Sequence, residues 1–188
     1  MAFALEIHEV TPTEFPLMQV LRDAVFGEFG HRSLTPIATG LADRVDLFLL
    51  MAHLEGNPVG FSAGFQRTPG SFYVNYMAVL RDYQRQGLGR QMLQRQESFA
   101  AARGYKQIEF NTFNRFPGML RLGVLLGYRP IGVEQHAATE NELAIRFGKS
   151  LPDSQPAPDT ELLDALAAGR TIVGLQREPD GEIRLLFS

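Results

Sequence analysis

A short run with two glycines, Gln84-Arg85-Gln86-Gly87-Leu88-Gly89, is the stretch of this chain whose chemistry is easiest to read. The residues before it, Phe72 to Val79, are the aromatic and branched types that suit a β-strand. The residues after it repeat apolar side chains at helical spacing as far as Ala100. A glycine loop that leads into a helix presents unpaired backbone N–H groups at the positive end of the helix dipole. The spacing therefore predicts a binding site for a phosphate-like anion.

The residues around the two glycines exclude two common phosphate motifs. The GxxxxGK[ST] loop requires lysine and then serine or threonine, but Arg90 and Gln91 follow Gly89. The GxGxxG dinucleotide motif requires a third glycine where Met92 stands. The pattern that remains is [Gln/Arg]-x-x-Gly-x-[Gly/Ala] after a strand. Taken alone, it also fits a plain turn without a ligand or a nucleotide-binding protein of another kind.

This pattern and two later segments resemble the GNAT family of N-acetyltransferases. Ile108-x-Phe110-x-x-x-Asn114 is similar to the strand and asparagine that follow the phosphate-binding helix of these enzymes. Leu122–Tyr128 is similar to their closing helix. The three segments occur in the family's order from Phe72 to Pro130, so the chain is identified as a member of this family.

The resemblance implies a set of residues that hold acetyl-CoA, the acetyl donor. The main chain of Met77, Ala78 and Val79 would bond the pantetheine amides, and Asn114 would line the same cleft. The pyrophosphate would lie on the glycine loop, whose residues are Gln84, Arg85, Gln86, Gly87, Leu88, Gly89 and Arg90. The two arginines of this loop would add positive charge there, unless they only solvate the start of the helix.

The resemblance is less informative about proton transfer. We expect Tyr73 and Asn75 to share a strand face with Met77, at the positions where GNAT enzymes often carry Glu or His. A tyrosine titrates near ~10, so an ordered water would relay the proton. Alternatively, Tyr73 is a packed strand aromatic. The tyrosine that usually protonates the departing CoA thiolate would fall at Gly123, and we expect Tyr128 to turn into the core, so solvent is expected to supply this proton.

The amino-acid composition excludes several other classes of function. The chain of 188 residues has 45% hydrophobic and 21% charged residues and a net charge of -3, which favours neither nucleic acid nor an acidic membrane as partner. Cysteine is absent, which excludes a disulfide, a thiol nucleophile and a thiolate metal site. The histidines show no HExxH spacing, and no metal is expected; they are His8, His31, His53 and His136. No secretory signal is visible at the N-terminus, so we expect a cytoplasmic protein.

The order of predicted elements gives the fold class. Short strands joined by turns, then a helix crossing to a further strand, predict α/β with a mixed, largely antiparallel central sheet. One parallel strand pair and flanking helices complete this acyl-CoA N-acyltransferase-like fold. Residues 1–149 would form the acyltransferase domain. Residues 150–188 would be a proline-rich linker with a helix and hairpin that dock on the domain or on a partner subunit, the latter making a homodimer.

These observations lead to one preferred function and one rival. The preferred function is transfer of an acetyl group from acetyl-CoA to the amine of a small molecule or peptide, by direct attack in a ternary complex. The rival is a non-catalytic acyl-CoA-binding module of the same fold. The weak bases at positions 73 and 75 and the glycine at position 123 favour this rival. We expect substrate selectivity in residues 30–46 and in the tail.

Overall fold

The computed structural model describes residues 5–27, 35–135, 143–151, 159–178 and 183–188. Contacts divide the chain into two compact units, Met1–Tyr105 and Lys106–Ser188. The predicted fold class, α/β with a mixed and largely antiparallel sheet flanked by helices, is confirmed. None of the helices in the described part of the chain has the length and hydropathy that a bilayer span requires.

The first unit combines an antiparallel meander with three helices among its described residues. Each strand pairs with the next along the chain, as the short turns between them predict. The elements in chain order are β1 (Leu5–Glu9), α1 (Phe15–Phe26), α2 (Ile37–Leu41), β2 (Phe48–Leu54), β3 (Asn57–Thr68), β4 (Ser71–Val79) and α3 (Leu88–Ala102).

Strands β2 and β3 are buried along most of their length and build the core of this unit. One face of these strands packs against α1 and α2 in a buried cluster that includes Met18, Ile37, Leu41, Phe61 and Phe65. The helix α3 contacts β2, β3 and β4 and buries the apolar side chains that recur along one of its faces. Full burial of each large apolar side chain contributes roughly 1.5–3 kcal/mol, so this packing fixes the position of the helix that follows the glycine loop.

The start of α1 differs from the sequence prediction. The sequence Thr11-Pro12-Thr13-Glu14 predicts a helix start with Thr11 as N-cap and Pro12 at the first position, but Pro12–Glu14 form a short 3-10 helix and α1 begins at Phe15. The Thr11 hydroxyl does not cap the helix, because it lies 2.6 Å from the hydroxyl of Thr13. The sequence predicts that this helix stops near Gly27 or Gly30, and it ends at Phe26 with Gly27 as its C-cap.

The second unit contains a three-stranded antiparallel arrangement and a separate hairpin. Strand β7 lies between β5 and β6, and β8 pairs only with β9 among the described strands. The elements are β5 (Gln107–Phe113), α4 (Pro117–Leu125), β6 (Arg129–Gln135), β7 (Leu143–Ser150), α5 (Thr160–Ala167), β8 (Ile172–Arg177) and β9 (Ile183–Phe187).

The C-terminal elements contact the rest of this unit. Helix α5 packs against α4, and the hairpin contacts β6. Arg129 Nη1 lies 3.2 Å from Asp159 Oδ2, just before α5. The boundary between residues 1–149 and 150–188 stays a prediction, as does a homodimer. The linker and the turn Glu178–Gly181 lie largely outside the described residues.

Candidate active site

Strand β4 has one residue more than the stretch of β3 that it faces. Tyr73 pairs with Phe65, whereas Tyr76 pairs with Ala63, so three steps along β4 face two steps along β3. Because Asn75 has no partner in this register, it is the extra residue of a β-bulge. A bulge bends a strand and shifts the alternation of its side chains between the two faces.

The bulge separates Tyr73 from Met77. Tyr73 packs against the core cluster on the side of α1 and α2. Met77 pairs with Ser62, whose hydroxyl receives a hydrogen bond of 3.0 Å from Gln96 of α3, so it belongs to the opposite face. The prediction that Tyr73 and Asn75 share one face with Met77 is therefore wrong, because it assumed an unbroken strand.

The Tyr73 side chain is held from two directions. Its ring meets that of Phe65 edge to face, with 5.8 Å between centroids, and the Arg67 guanidinium carbon lies 4.7 Å from its centroid. The ring is half-buried, and Asn75 in the bulge is also partly exposed. Both side chains have hydrogen-bonding groups that can order a water, which is the role that the sequence predicts for them.

The end of β4 is tied to the loop that follows it. The Gln84 side chain donates a hydrogen bond of 2.9 Å from Nε2 to the carbonyl oxygen of Val79. A carbonyl oxygen has two lone pairs, so this bond leaves one acceptor position at Val79. Ala78 is buried, whereas Met77 and Val79 are partly exposed. This side-chain bond couples the three strand residues implied for pantetheine to the loop implied for the pyrophosphate.

The glycine loop adopts two left-handed conformations before α3. Gly87 has φ of +85° and stands at the N-cap of the helix, while Arg85 has φ of +61°. Such a conformation costs a non-glycine residue about 1–2 kcal/mol, and strain of this kind is characteristic of functional loops. The predicted loop and helix start are confirmed as structure, since α3 begins at Leu88.

The N-terminus of α3 is open to a ligand. No side chain caps it, and the Gln91 N–H makes the first helical bond, to the carbonyl oxygen of Gly87 at 3.0 Å. The preceding N–H groups therefore have no partner within the helix. Arg85 and Arg90 are exposed beside them, whereas Leu88 is buried and anchors the turn. This combination of amide donors, helix dipole and guanidinium charge suits a pyrophosphate.

Asn114, in the second unit, bonds the main chain of β8. Its Nδ2 donates to the carbonyl oxygen of Ile172 at 2.7 Å, and its Oδ1 accepts from the N–H of the same residue at 3.0 Å. The amide thus acts as a short strand partner for Ile172, which is buried. Sequence reasoning did not find this contact, because the partner lies 58 positions away in the tail.

Close packing accounts for Gly123, where the family resemblance implied a tyrosine. A Cβ atom at this position would lie 2.7 Å from the Phe110 ring, which is closer than packed atoms come. The Tyr128 ring is 1% exposed and lies 5.0 Å from that of Phe110 between centroids. The expectation that Tyr128 turns into the core is confirmed.

Glu109 is a buried carboxylate that the sequence did not single out. It is 7% exposed and is the only acidic side chain that is buried among the described residues. The Gln107 amide donates a hydrogen bond to it. Glu109 lies between Ile108 and Phe110 in β5, and both of these neighbours are buried as well. Burial and the hydrogen bond from Gln107 hold this carboxylate within the packing of the second unit.

The histidines do not form a metal site in the described part of the chain. No group of three or more His, Asp or Glu side chains there is placed to hold an ion. His8 and His53 stack with 4.8 Å between ring centroids. Burial lowers the pKa of the His53 imidazole, and the charge of His8 lowers it further. His31 and His136 lie outside the described residues.

Comparison with known protein families matches residues 15–122, more than half of the chain, to the acetyltransferase (GNAT) family. The chain belongs to this family. The family resemblance seen in the sequence is thereby confirmed, and the protein is an acyltransferase. Acetyl-CoA is the co-substrate of GNAT acetyltransferases, and amines are their acceptors. A search among curated protein sequences finds no match.

Solved structures share the fold at low sequence identity. The ribosomal-protein-S18-alanine N-acetyltransferase from Escherichia coli is 17% identical, with a TM-score of 0.67 over 80% of this chain and 96% of its own. Ard1 from Thermoplasma volcanium is 13% identical, with a TM-score of 0.68 over 80% and 99% of the two chains. A GNAT acetyltransferase from Elizabethkingia anophelis with acetyl-CoA bound is 18% identical, with a TM-score of 0.58 over 78% and 98%.

Proposed function

We propose that this GNAT protein acetylates a primary amine of a small molecule or peptide, by direct attack of the amine on acetyl-CoA in a ternary complex. The start of α3 carries the proposal. An exposed loop with two arginines leads into a helix that has a left-handed Gly87 and no side-chain cap. That arrangement supports assignment of the residues from Gln84 to Arg90 to the pyrophosphate.

The reaction is an acyl transfer between a thioester and an amine. The neutral amine nitrogen attacks the carbonyl carbon, so a C–N bond forms and the carbonyl oxygen becomes anionic. The C–S bond then breaks, CoA leaves as its thiolate, and the nitrogen loses one proton. The chain has no cysteine, which favours this direct route over a thiol relay, although a serine relay stays an alternative.

We assign the other predicted residues to positioning and proton transfer. The main chain of Met77, Ala78 and Val79 would bond the pantetheine amides at the end of β4. Tyr73 and Asn75 would order the water that takes the proton from the amine, and the bulge at position 75 supports this because it frees main-chain groups from the ladder. Asn114 keeps its implied place at acetyl-CoA on family resemblance only, since its amide bonds Ile172.

Solvent is the proposed source of the proton for the departing thiolate. A CoA thiol resembles a free cysteine, with a pKa near ~8.5, and is therefore a good leaving group. Gly123 packs against Phe110, and Tyr128 is buried. General acid catalysis usually contributes roughly 10²–10⁴-fold, and a good leaving group needs only part of that.

The substitution Gly89→Glu tests the binding site, and Gly118→Glu is its matched control. Each glycine is the second residue of a helix, so each glutamate lies at a favourable place in a first turn. Titration calorimetry should show acetyl-CoA binding to the wild type and to Gly118→Glu, and at least about tenfold weaker binding to Gly89→Glu. Equal affinity for acetyl-CoA in all three proteins would show that the loop is not part of the binding site.

Turnover of acetyl-CoA with a panel of primary amines tests the transfer itself. The proposal expects release of CoA together with an N-acetylated product for at least one amine. Tight binding of acetyl-CoA without acetylation of any amine in the panel would instead favour the non-catalytic binding module.

A further inference from the structure

Two arginine side chains flank a pair of aromatic rings where β3 ends and β4 begins. Phe65 and Tyr73 are cross-strand partners whose rings meet edge to face. The Arg44 guanidinium carbon lies 4.7 Å from the Phe65 centroid, and the Arg67 carbon lies 4.7 Å from the Tyr73 centroid. We call these four residues the arginine–aromatic cluster. It places two cationic groups beside Tyr73, which the proposed function assigns to proton transfer.

The Arg44 side chain is held in place before any ligand arrives. Its Nε donates a hydrogen bond of 2.9 Å to the carbonyl oxygen of Gly40, one helical turn earlier. The next residue, Val45, accepts a main-chain bond of 2.9 Å from Gln66, which fixes this loop to β3. The side chain is nevertheless exposed, and its two terminal nitrogens have no hydrogen-bond partner among the described residues. A fixed guanidinium with a free outer edge is suited to a carboxylate.

Another arginine of the same unit shows what such an arrangement binds. The Arg103 guanidinium carbon lies 5.1 Å from the Phe99 centroid, and its Nη1 donates to Asp46 Oδ1 at 3.0 Å. Here the chain supplies a carboxylate to an arginine that lies over an aromatic ring. Arg44 repeats the ring contact without a carboxylate among the described residues.

A third arginine near β4 has a different role. Arg22 lies 5.9 Å from the centroid of the Tyr76 ring, but it is only 3% exposed. Its nitrogens bond the carbonyl oxygen of Thr35 and the carboxylate of Asp23. Burial and these bonds occupy Arg22 in the structure of the unit, so Arg22 does not bind a ligand from solvent, whereas the exposed Arg44 can.

We propose that the arginine–aromatic cluster binds a carboxylate of the acceptor, so that the substrate class is an amine that also carries a carboxylate. Arg44 makes the bidentate contact, and Arg67 adds positive charge. This inference rests on the proposed function, in which Tyr73 and Asn75 order the water that takes the proton from the amine. Because a strand rises about 3.3 Å per residue, the carboxylate lies on the order of 10 Å from the amine. A peptide with a free N-terminus and glutamate near it has these dimensions.

Two peptides that differ by one group test this proposal. Both are tripeptide amides with a free N-terminus, one with glutamate and one with glutamine at the third position. Calorimetry in the presence of CoA measures their binding without requiring turnover, and kcat/KM is measured alongside. Charge-assisted contacts lead us to expect about tenfold tighter binding of the glutamate peptide to the wild type. Arg44→Gln should reduce this ratio to about one, and Arg44→Lys should retain part of it.

The substitution Arg170→Gln is the matched control. Arg170 is also exposed, and its guanidinium carbon lies 4.8 Å from the centroid of the Phe187 ring, but it belongs to the other unit. The Arg170→Gln variant should keep the tenfold preference for the glutamate peptide over the glutamine peptide. The affinity for acetyl-CoA should be unchanged in every variant. Equal or undetectable binding of both peptides to the wild type overturns the proposal, as does a ratio that survives Arg44→Gln. If the wild type does not bind acetyl-CoA at all, the proposed function itself is contradicted.

Discussion

Helices α3 and α5 begin in opposite ways, although each has the same backbone donors to satisfy. At α5 the Asp159 Oδ1 atom accepts a hydrogen bond of 3.0 Å from the Leu162 N–H, and its other oxygen pairs with Arg129. At α3 the N-cap is Gly87, which has no side chain to offer. A side-chain cap satisfies these donors within the chain, whereas an uncapped helix start leaves them to water or, as proposed for α3, to a ligand.

The largest expected effect comes from Gly87→Val. A valine at φ of +85° is strained by at least about 1–2 kcal/mol, although space is available, since the nearest atom, Gln91 Nε2, would lie 3.9 Å from the new Cβ. We expect this loss in urea unfolding, together with at least about tenfold weaker binding of acetyl-CoA. The control is Gly169→Val at the end of α5, where φ is +75° and no atom lies within 4 Å. Gly169→Val should lose similar stability but keep the wild-type affinity for acetyl-CoA. An equal loss of affinity in the two variants would show that the start of α3 has no special role in binding.

The converse substitution is Asp159→Ala at the capped helix. Loss of the cap should lower the free energy of unfolding by about 1 kcal/mol. Asp159→Asn should recover most of this, because an asparagine also caps a helix although it cannot pair ionically with Arg129. Calorimetric affinity for acetyl-CoA should match the wild type in both. A weaker affinity would mean that the capped helix also serves the ligand.

Tyr128→Phe tests whether the unit with the capped helix contributes an acid to the reaction. The Tyr128 ring is buried against Phe110, so the change should cost some stability. Because solvent is the proposed proton source, the rate of acetyl transfer should stay within a few-fold of the wild type. Abolished turnover with unchanged acetyl-CoA binding and melting temperature would make Tyr128 the general acid.

The smallest effect concerns acid stability of the unit with the open helix. Burial and His8 lower the pKa of His53, while Glu6 and Glu14 oppose the shift. The unfolded state therefore binds the proton more readily, and His53 should reduce stability as the pH falls through its ordinary value near ~6.5. The melting temperature of His53→Gln should fall less than that of the wild type between neutral pH and about pH 5. Parallel melting curves for the two proteins would assign the acid sensitivity to other groups.

Local sequence was enough to predict most of the elements and the glycine loop before α3, which the proposed function assigns to the pyrophosphate. Turn residues and apolar spacing set the strands and helices, and Gly87 marks the loop because its φ of +85° is a conformation that few other residues tolerate. These features act within a few residues along the chain. They can therefore be predicted without knowledge of the partner strands.

The missed features depend on partners that are distant along the chain. The bulge at Asn75 arises from its pairing with β3, and the burial of Glu109 depends on tertiary packing. The fit of Gly123 against Phe110 and the bonds of Asn114 to Ile172 are contacts of the same kind. No periodicity in the sequence specifies such pairings, so the arrangement of the candidate site residues could not be predicted without the structure.

The most direct test of the open helix start compares acetyl-CoA with S-acetylpantetheine, which lacks the pyrophosphate and the nucleotide. Dissociation constants of both ligands are measured by calorimetry for the wild type, Gly89→Glu and the control Gly118→Glu. If the pyrophosphate lies on the N-terminus of α3, acetyl-CoA should bind at least about 100-fold more tightly than S-acetylpantetheine to the wild type and the control. In Gly89→Glu this ratio should fall to a few-fold. A ratio that is the same in all three proteins would contradict the account.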